Sequence, residues 1–111
     1  MSTDTTTGTN ILVINGTIDS ASDLETQLSL NGDFELTLGG NDFADNDGFL
    51  VLWDDGTDSY LSLVINSSGA DITGGGTLST SDLTVTTVLT LVGIADATDI
   101  NAANLGTAFN T

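Results

Sequence analysis

The stretch with the most chemical potential in this sequence is an oxygen-rich loop, residues 39–48, which separates two apolar runs. Its candidate metal ligands are Asn41, Asp42, Asp45 and Asp47. Calcium is a hard cation that takes about six to eight oxygen ligands, and a glycine-containing loop with acids at alternate positions can wrap around it. An EF-hand does not fit, because Phe43 stands where its first aspartate belongs. The loop therefore predicts a calcium site of another kind. The alternative is a solvated turn whose Asp and Asn residues tolerate unusual backbone angles.

A second oxygen-rich turn, residues 54–58, offers three more candidate ligands. They are Asp54, Asp55 and Asp58. The Asp-Gly step within this turn is also a strong signal for a β-hairpin, so a hairpin turn with free carboxylates is the alternative to a ligand role. Calcium is the cofactor that the two turns together predict.

The negative charge of the chain is not balanced by any basic residue. There are 16 Asp and Glu residues and no Lys, Arg or His, which gives a net charge of −16. Carboxylates clustered in short loops repel one another at the ~8 Å Debye length of physiological salt, and a divalent cation is the simplest remedy. The chain is nevertheless 39% hydrophobic, which favours a folded protein over a disordered one. Binding to nucleic acid is excluded, since no cation can replace the counterions of a phosphate backbone. Membrane insertion is not expected, because the apolar runs are far shorter than the ~20 residues of a spanning helix.

The inventory for catalysis is poor. Without His, Cys, Lys or Arg the chain cannot assemble the nucleophile and base pairs of hydrolases, and no cation can stabilise an oxyanion. Paired carboxylates can hydrolyse glycosides, but such sites line clefts with aromatic platforms, and this chain has one Trp and one Tyr. We therefore expect that the protein is not an enzyme.

One segment is a helix candidate. In residues 19–28, Asp19 or Ser20 can cap a helix in which Leu24 and Leu28 share a face. A strand stays open as the alternative, because the leucines also fall on an alternating series that ends at Leu30.

The remaining apolar runs predict strands. They span residues 10–15, 34–38, 49–53, 59–65 and 83–94. The third and fourth form a hairpin, and the last has a candidate bulge at Thr86–Thr87. The sequence thus predicts a mainly β fold: a single antiparallel β-sandwich-like domain with at most one short helix at about residues 19–28. An extended arm at residues 1–9 precedes this domain, which spans residues 10–111.

Several stretches occur in an arrangement shared with known proteins. They are Asp23-Leu24, Gly48–Leu52, Asp55–Leu61, Leu89–Ile94 and Asp99–Leu105. In this arrangement the chain from about residue 18 to 109 resembles the β-rich, calcium-dependent modules of type I secreted bacterial surface proteins, the RTX and S-layer-associated group. Gly40 and Asp42 also align with one degenerate RTX nonapeptide. The chain departs from the group by its short length and its lack of tandem GGxGxD repeats, which argues against a β-roll and against toxin or protease activity.

The resemblance implies export without a cleaved N-terminal signal, folding on contact with external calcium, and a role at the cell surface. Residues 2–7 agree with it, because they lack the basic and apolar regions of a signal peptide. We therefore expect a secreted, extracellular structural subunit that assembles into a filament or surface layer, with folding and assembly stabilised by calcium. The alternative is a calcium-dependent binding or secretion-targeting module of a large adhesin. An acidic domain from a halophile also stays open.

The expected partner is the chain itself. The strand at residues 10–15 is apolar, follows a Thr-rich lead and precedes Gly16, so it can be donated to the sheet of a neighbouring copy. A head-to-tail contact that does not close then generates a fibre. The alternative is an ordinary first strand within one monomer.

Overall fold

The computed structural model describes residues 11–100 in full and residues 2–3 by their backbone. Its strands are β1 (Ser2–Thr3), β2 (Ile11–Thr17), β3 (Thr37–Leu38), β4 (Gly48–Asp54), β5 (Ser59–Asn66) and β6 (Leu83–Leu91). Its helix is α1 (Ala21–Leu28), and two short 3-10 turns lie at Thr80–Asp82 and Ala97–Asp99. The predicted arm at residues 1–9 falls outside the described residues apart from the backbone of β1. Residues 101–111 fall outside them entirely.

A four-stranded sheet in the order β2-β4-β5-β6 forms the frame of the molecule. The predicted hairpin is confirmed as β4 and β5, which pair antiparallel with Trp53 opposite Tyr60, and β6 continues the antiparallel order. β2 differs from the prediction because it pairs parallel with β4. The helix and two loops lie between β2 and β4 in the chain, and such a long connection lets the second strand re-enter in the same direction. The fold is mainly β with one short helix, as predicted, and its sheet is mixed.

The second layer of the domain is a helix with loops rather than a second large sheet. Ser20 caps α1 by accepting a hydrogen bond from the Asp23 main-chain N–H at 3.1 Å. Leu24 and Leu28, one turn apart, are fully buried in the main core. The helical interpretation of residues 19–28 is therefore correct. Within the described residues the other sheet is only the parallel pair β1 and β3.

Both faces of the large sheet are partly covered. The main core fills the face toward α1 and includes Val51, Trp53 and Val64. On the opposite face, Leu52 and Leu61 are buried beneath Ala97 and its neighbours. Side chains of a strand point alternately to the two faces, so the uninterrupted apolar run of β4 follows from its central position with cover on both sides.

Three strand predictions need correction. The last predicted strand ends at Leu91 and not at residue 94. Residues 34–36 are not a strand, because the main-chain N–H groups of Phe34 and Leu36 donate to the carbonyl groups of Gln27 and Leu28 and so fold the chain back on the end of α1. The bulge in β6 lies one residue later than predicted. Leu61 pairs with Leu89 while Ser62 pairs with Thr87, which leaves Val88 as the extra residue.

Candidate functional site

The first predicted calcium loop is anchored by its central phenylalanine. Phe43 is fully buried, and its main chain forms a two-way bridge with Ile72 through N–H to carbonyl distances of 2.8 and 2.9 Å. This bridge places the loop at residues 39–47 beside a second polar loop, residues 67–76. Phe43 stands in an otherwise polar loop because burial of its ring holds the two loops against the core.

Acidic side chains fasten these two loops to each other. Asp42 accepts a hydrogen bond from the Gly74 N–H at 2.7 Å, and Asp45 accepts one from the Gly69 N–H at 3.1 Å. In return, Asp71 accepts a hydrogen bond from the Asp45 N–H at 2.9 Å. Each bond joins an ionised acceptor to a main-chain donor, a stronger kind than a neutral pair. The three carboxylates therefore link the two loops through main-chain hydrogen bonds.

Two neighbouring residues have main-chain roles in the same place. Asn46 adopts a positive φ of 68°, which Asn tolerates better than most residues. Asp47 donates its N–H to the Ala44 carbonyl at 3.0 Å and accepts at its own carbonyl from the Asn66 N–H at 2.8 Å. The turn that the sequence offered as an alternative to a metal site is thus present.

Asn66 is the central polar residue of this region, and the sequence analysis missed it. Its fully buried side chain donates to the carbonyl groups of Phe43 and Ala70 at 2.9 and 2.8 Å, and its carbonyl oxygen accepts from Ser68. The sequence signal that could have identified Asn66 is its position as a polar residue at the end of an apolar strand. The side chain therefore links the two loops from inside the domain.

The second predicted turn contains a buried carboxylate. Asp54 is 4% exposed and accepts hydrogen bonds from the N–H groups of Gly56 at 3.1 Å and Ala97 at 2.9 Å. Asp58 accepts one from the Gly93 N–H at 2.8 Å. Both acids therefore tie the segment after β6 back to the β4–β5 hairpin.

Asp55 organises the turn itself. It accepts hydrogen bonds from the N–H groups of Thr57 and Asp58 at 2.9 and 2.8 Å, and from the Tyr60 hydroxyl at 2.7 Å. The bond from Asp58 and then that from Tyr60 hold the pKa of the Asp55 carboxyl below its usual value. The same hydrogen bond raises the pKa of Tyr60, because the phenol loses its acceptor partner if it ionises.

The two large aromatic residues pack as a cross-strand pair. The rings of Trp53 and Tyr60 stack with centroids 4.4 Å apart, and Trp53 is 3% exposed. The Trp53 indole N–H donates to the Ser62 hydroxyl at 2.9 Å, so its polar atom is satisfied inside the core. Trp53 is thus a core residue and has no surface to offer a sugar.

The seven candidate ligands do not converge on one place. Asn41, Asp42, Asp45 and Asp47 precede β4, whereas Asp54, Asp55 and Asp58 follow it, and a strand of this length separates its ends by about 20 Å. Among the described residues no group of three or more acidic side chains is close enough to hold a metal ion. A carboxylate with one main-chain donor still has free lone pairs, so calcium ligation by either turn stays a prediction.

The outer strands of the sheet are the other candidate site. Within the part of the chain that the structure describes, β2 and β6 each have a neighbour on one side alone. Neither strand contains an acidic residue or a proline. An exposed edge without charge or proline can pair with another strand.

Comparison with known proteins found no match. No protein-family model matches it, and searches of curated proteins and of solved structures found no significant match. None of the helices in the described residues is long and apolar enough to cross a membrane.

Proposed function

We propose that this protein is an extracellular structural subunit that assembles with copies of itself into a filament or surface layer. The observation that carries the proposal is the pair of uncharged, proline-free edges on one sheet, β2 (Ile11–Thr17) and β6 (Leu83–Leu91). Natural sheets usually protect their edges with charge, proline or a covering element. None of the 16 acids of the chain lies on either edge strand, so charge within these strands does not prevent them from pairing with another strand.

The use of the carboxylates supports a structural role. The acids of both predicted turns accept hydrogen bonds from main-chain N–H groups and so stiffen the loops around the sheet. Within the described residues the domain has two edge strands with a free side, which suits a building block. The composition supports it as well, since nucleophile and base pairs cannot be formed from these residues.

Calcium belongs to the proposal as the cation that lowers repulsion between copies. Two molecules with a charge of −16 each repel one another, and a divalent cation near their surfaces reduces that cost. The resemblance to type I secreted surface proteins is the basis for placing the assembly outside the cell, where calcium is plentiful.

The test is electron microscopy and light scattering of the purified chain, in millimolar calcium and in chelator at matched ionic strength. We expect filaments or sheets in calcium and mostly monomers in chelator. A monomer at all concentrations in both buffers would contradict the proposal. That result would favour the binding or secretion-targeting module.

A further inference from the structure

The two edges of the sheet differ in shape. Along β2 runs a groove of about 380 Å³, lined on one side by residues 12–15 and on the other by residues 32–36. Consecutive residues of a strand point to opposite faces, so a groove lined by four in a row follows the edge of the strand and not one face. This edge is a recess.

The β6 edge instead carries exposed apolar side chains. Val88 at the bulge is 53% exposed, and Val92 just beyond the strand is 81% exposed. Both belong to the large apolar side chains that are exposed among the described residues. An exposed apolar edge on one side of a molecule and a groove on the other suit a heterologous contact, and such a contact extends into a fibre when it does not close into a ring.

The acidic residues at the groove favour an uncharged binding partner. Asp33 and Glu35 stand on its wall, so an acidic segment is repelled there. β6 and the residues after it, 83–94, contain no acid. Because the chain has no basic side chain, an uncharged strand is the segment of a second copy that best suits the acidic wall of the groove.

Strand direction is compatible with a repeating contact. β2 is parallel to β4, and β6 is also parallel to β4 because two antiparallel steps separate them. The two edges therefore run the same way. Copies related by translation and twist place β6 of one beside β2 of the next as a parallel pair, and every copy repeats the same contact.

We propose that copies of this chain join head to tail, with the β6 edge and Val88 of one copy seated on the β2 edge and its groove in the next. This inference rests on the proposed function and names its interface. It differs from the predicted donation of the strand at residues 10–15 to a neighbouring copy, which stays a prediction. Ile11–Thr17 lies in the chain's own sheet in this structure, and there it acts as the acceptor edge.

The test uses one added charge at each edge. Asn15→Asp on β2 changes little in shape, and Val88→Asp places a charge at the bulge of the β6 edge; both positions are exposed. Ser22→Asp on the exposed face of α1 is the matched control, since all three variants have the same net charge. Circular dichroism melts verify folding, and Thr86→Asp, also exposed on β6, replaces Val88→Asp if that variant melts early.

Head-to-tail joining predicts that Asn15→Asp and Val88→Asp each raise the critical concentration for assembly at least about tenfold relative to Ser22→Asp, because each buries an unpaired charge. An equimolar mixture of the two should form heterodimers by sedimentation velocity, since each variant retains one intact edge and those edges complement each other. Homodimers formed by each variant alone would overturn the inference in favour of like-edge pairing. Assembly equal to that of Ser22→Asp would overturn it too, while leaving the proposed function intact. Failure of the unmodified chain to assemble would refute the proposed function itself.

Discussion

Asp54 shows at the scale of a single residue how this chain uses its acids. The carboxylate is almost fully buried, and the chain contains no cation to pair with it. Its two oxygens instead accept from two main-chain N–H groups, one in its own turn and one 43 residues away. At least ten acidic side chains accept main-chain N–H groups: Asp23, Glu35, Asp42, Asp45, Asp54, Asp55, Asp58, Asp71, Asp82 and Asp96. The main chain supplies the hydrogen-bond donors that basic side chains supply elsewhere.

Replacement of Asp54 by Ala should lower the free energy of unfolding by about 1–3 kcal/mol, because the buried Ala97 N–H loses its acceptor. Urea unfolding followed by circular dichroism measures the change. Asp33→Ala is the control, since it removes the same charge from an exposed position. If both variants lose equal stability, the Asp54 bonds contribute nothing of their own.

Tyr60 gives a direct readout of the Asp55 turn. It is the single tyrosine of the chain, so ultraviolet titration reports this residue alone. Its raised pKa depends first on the hydrogen bond to Asp55, and therefore Asp55→Asn should lower it. Asp42→Asn, in the other loop, is the control and should leave the titration unchanged. A Tyr60 pKa that did not fall in Asp55→Asn would contradict the assigned hydrogen bond.

The same pair predicts how stability depends on pH. Asp55 has a lowered pKa in the folded state, so its contribution is present above about pH 4, the unfolded value, and is lost as pH falls through the folded pKa. Tyr60 has a raised pKa, so its contribution is complete below about pH 10 and is lost as pH rises through the folded value. The melting temperature should therefore fall further from its value at pH 7, both at pH 3 and at pH 11, in the unmodified chain than in Tyr60→Phe. Thermal melts at the three pH values measure the difference.

The sequence places the acids correctly in turns but does not identify their partners. Asp42, Asp54 and Asp58 accept from residues 32, 43 and 35 positions away, and such pairs depend on the tertiary fold. Periodicity and turn signals are local and contain no information on these distances. The sequence of a loop rich in Asp and Asn therefore does not distinguish side-chain oxygens that bind a metal ion from those that accept hydrogen bonds from a neighbouring loop.

At the scale of elements, α1 depends on a local cap and on tertiary burial. The helix has eight residues, too few to persist alone in water, so burial of Leu24 and Leu28 supplies most of its stability. Ser20→Ala removes the acceptor for the Asp23 N–H and should lower the free energy of unfolding by about 0.5–2 kcal/mol. Ser22→Ala, exposed on the same helix, should be neutral or slightly stabilising. Chemical denaturation of both variants measures the difference. Equal free energies of unfolding for Ser20→Ala and Ser22→Ala would show that the cap does not stabilise the helix.

Element prediction succeeded where local signals and tertiary structure agree. The hairpin of β4 and β5 combines two apolar runs with an Asp-Gly turn, and all three signals were visible in the sequence. β2 is apolar in the same way, yet its parallel pairing comes from the path of the chain through α1 and two loops. The segment at residues 34–36 alternates like a strand, but its main-chain donors bond to the end of α1. Tertiary contacts decided both cases.

At the scale of the whole molecule, the net charge and the unpaired edge strands have opposite effects on association between copies. The open strands favour association, while a net charge of −16 disfavours it. Under the proposed function, the balance between the two responds to ionic conditions, and we expect the chain to stay monomeric where calcium is scarce and to assemble where calcium is plentiful. Calcium is the cation that we expect to shift this balance.

Calcium should also raise the melting temperature of the single domain, because a cation bound by the folded state alone stabilises it by mass action. We expect this increase over sodium chloride at matched ionic strength, and we expect its loss in the triple variant Asp42→Asn, Asp45→Asn and Asp47→Asn. Asparagine keeps an acceptor oxygen for the bonds to Gly69 and Gly74, so the variant should melt near the unmodified chain in chelator. The control triple Asp19→Asn, Glu25→Gln and Asp33→Asn removes the same charge elsewhere. If it abolishes the calcium effect equally, calcium acts on total charge and the loop is not a site; if calcium does not move the melt of the unmodified chain, the predicted cofactor is wrong.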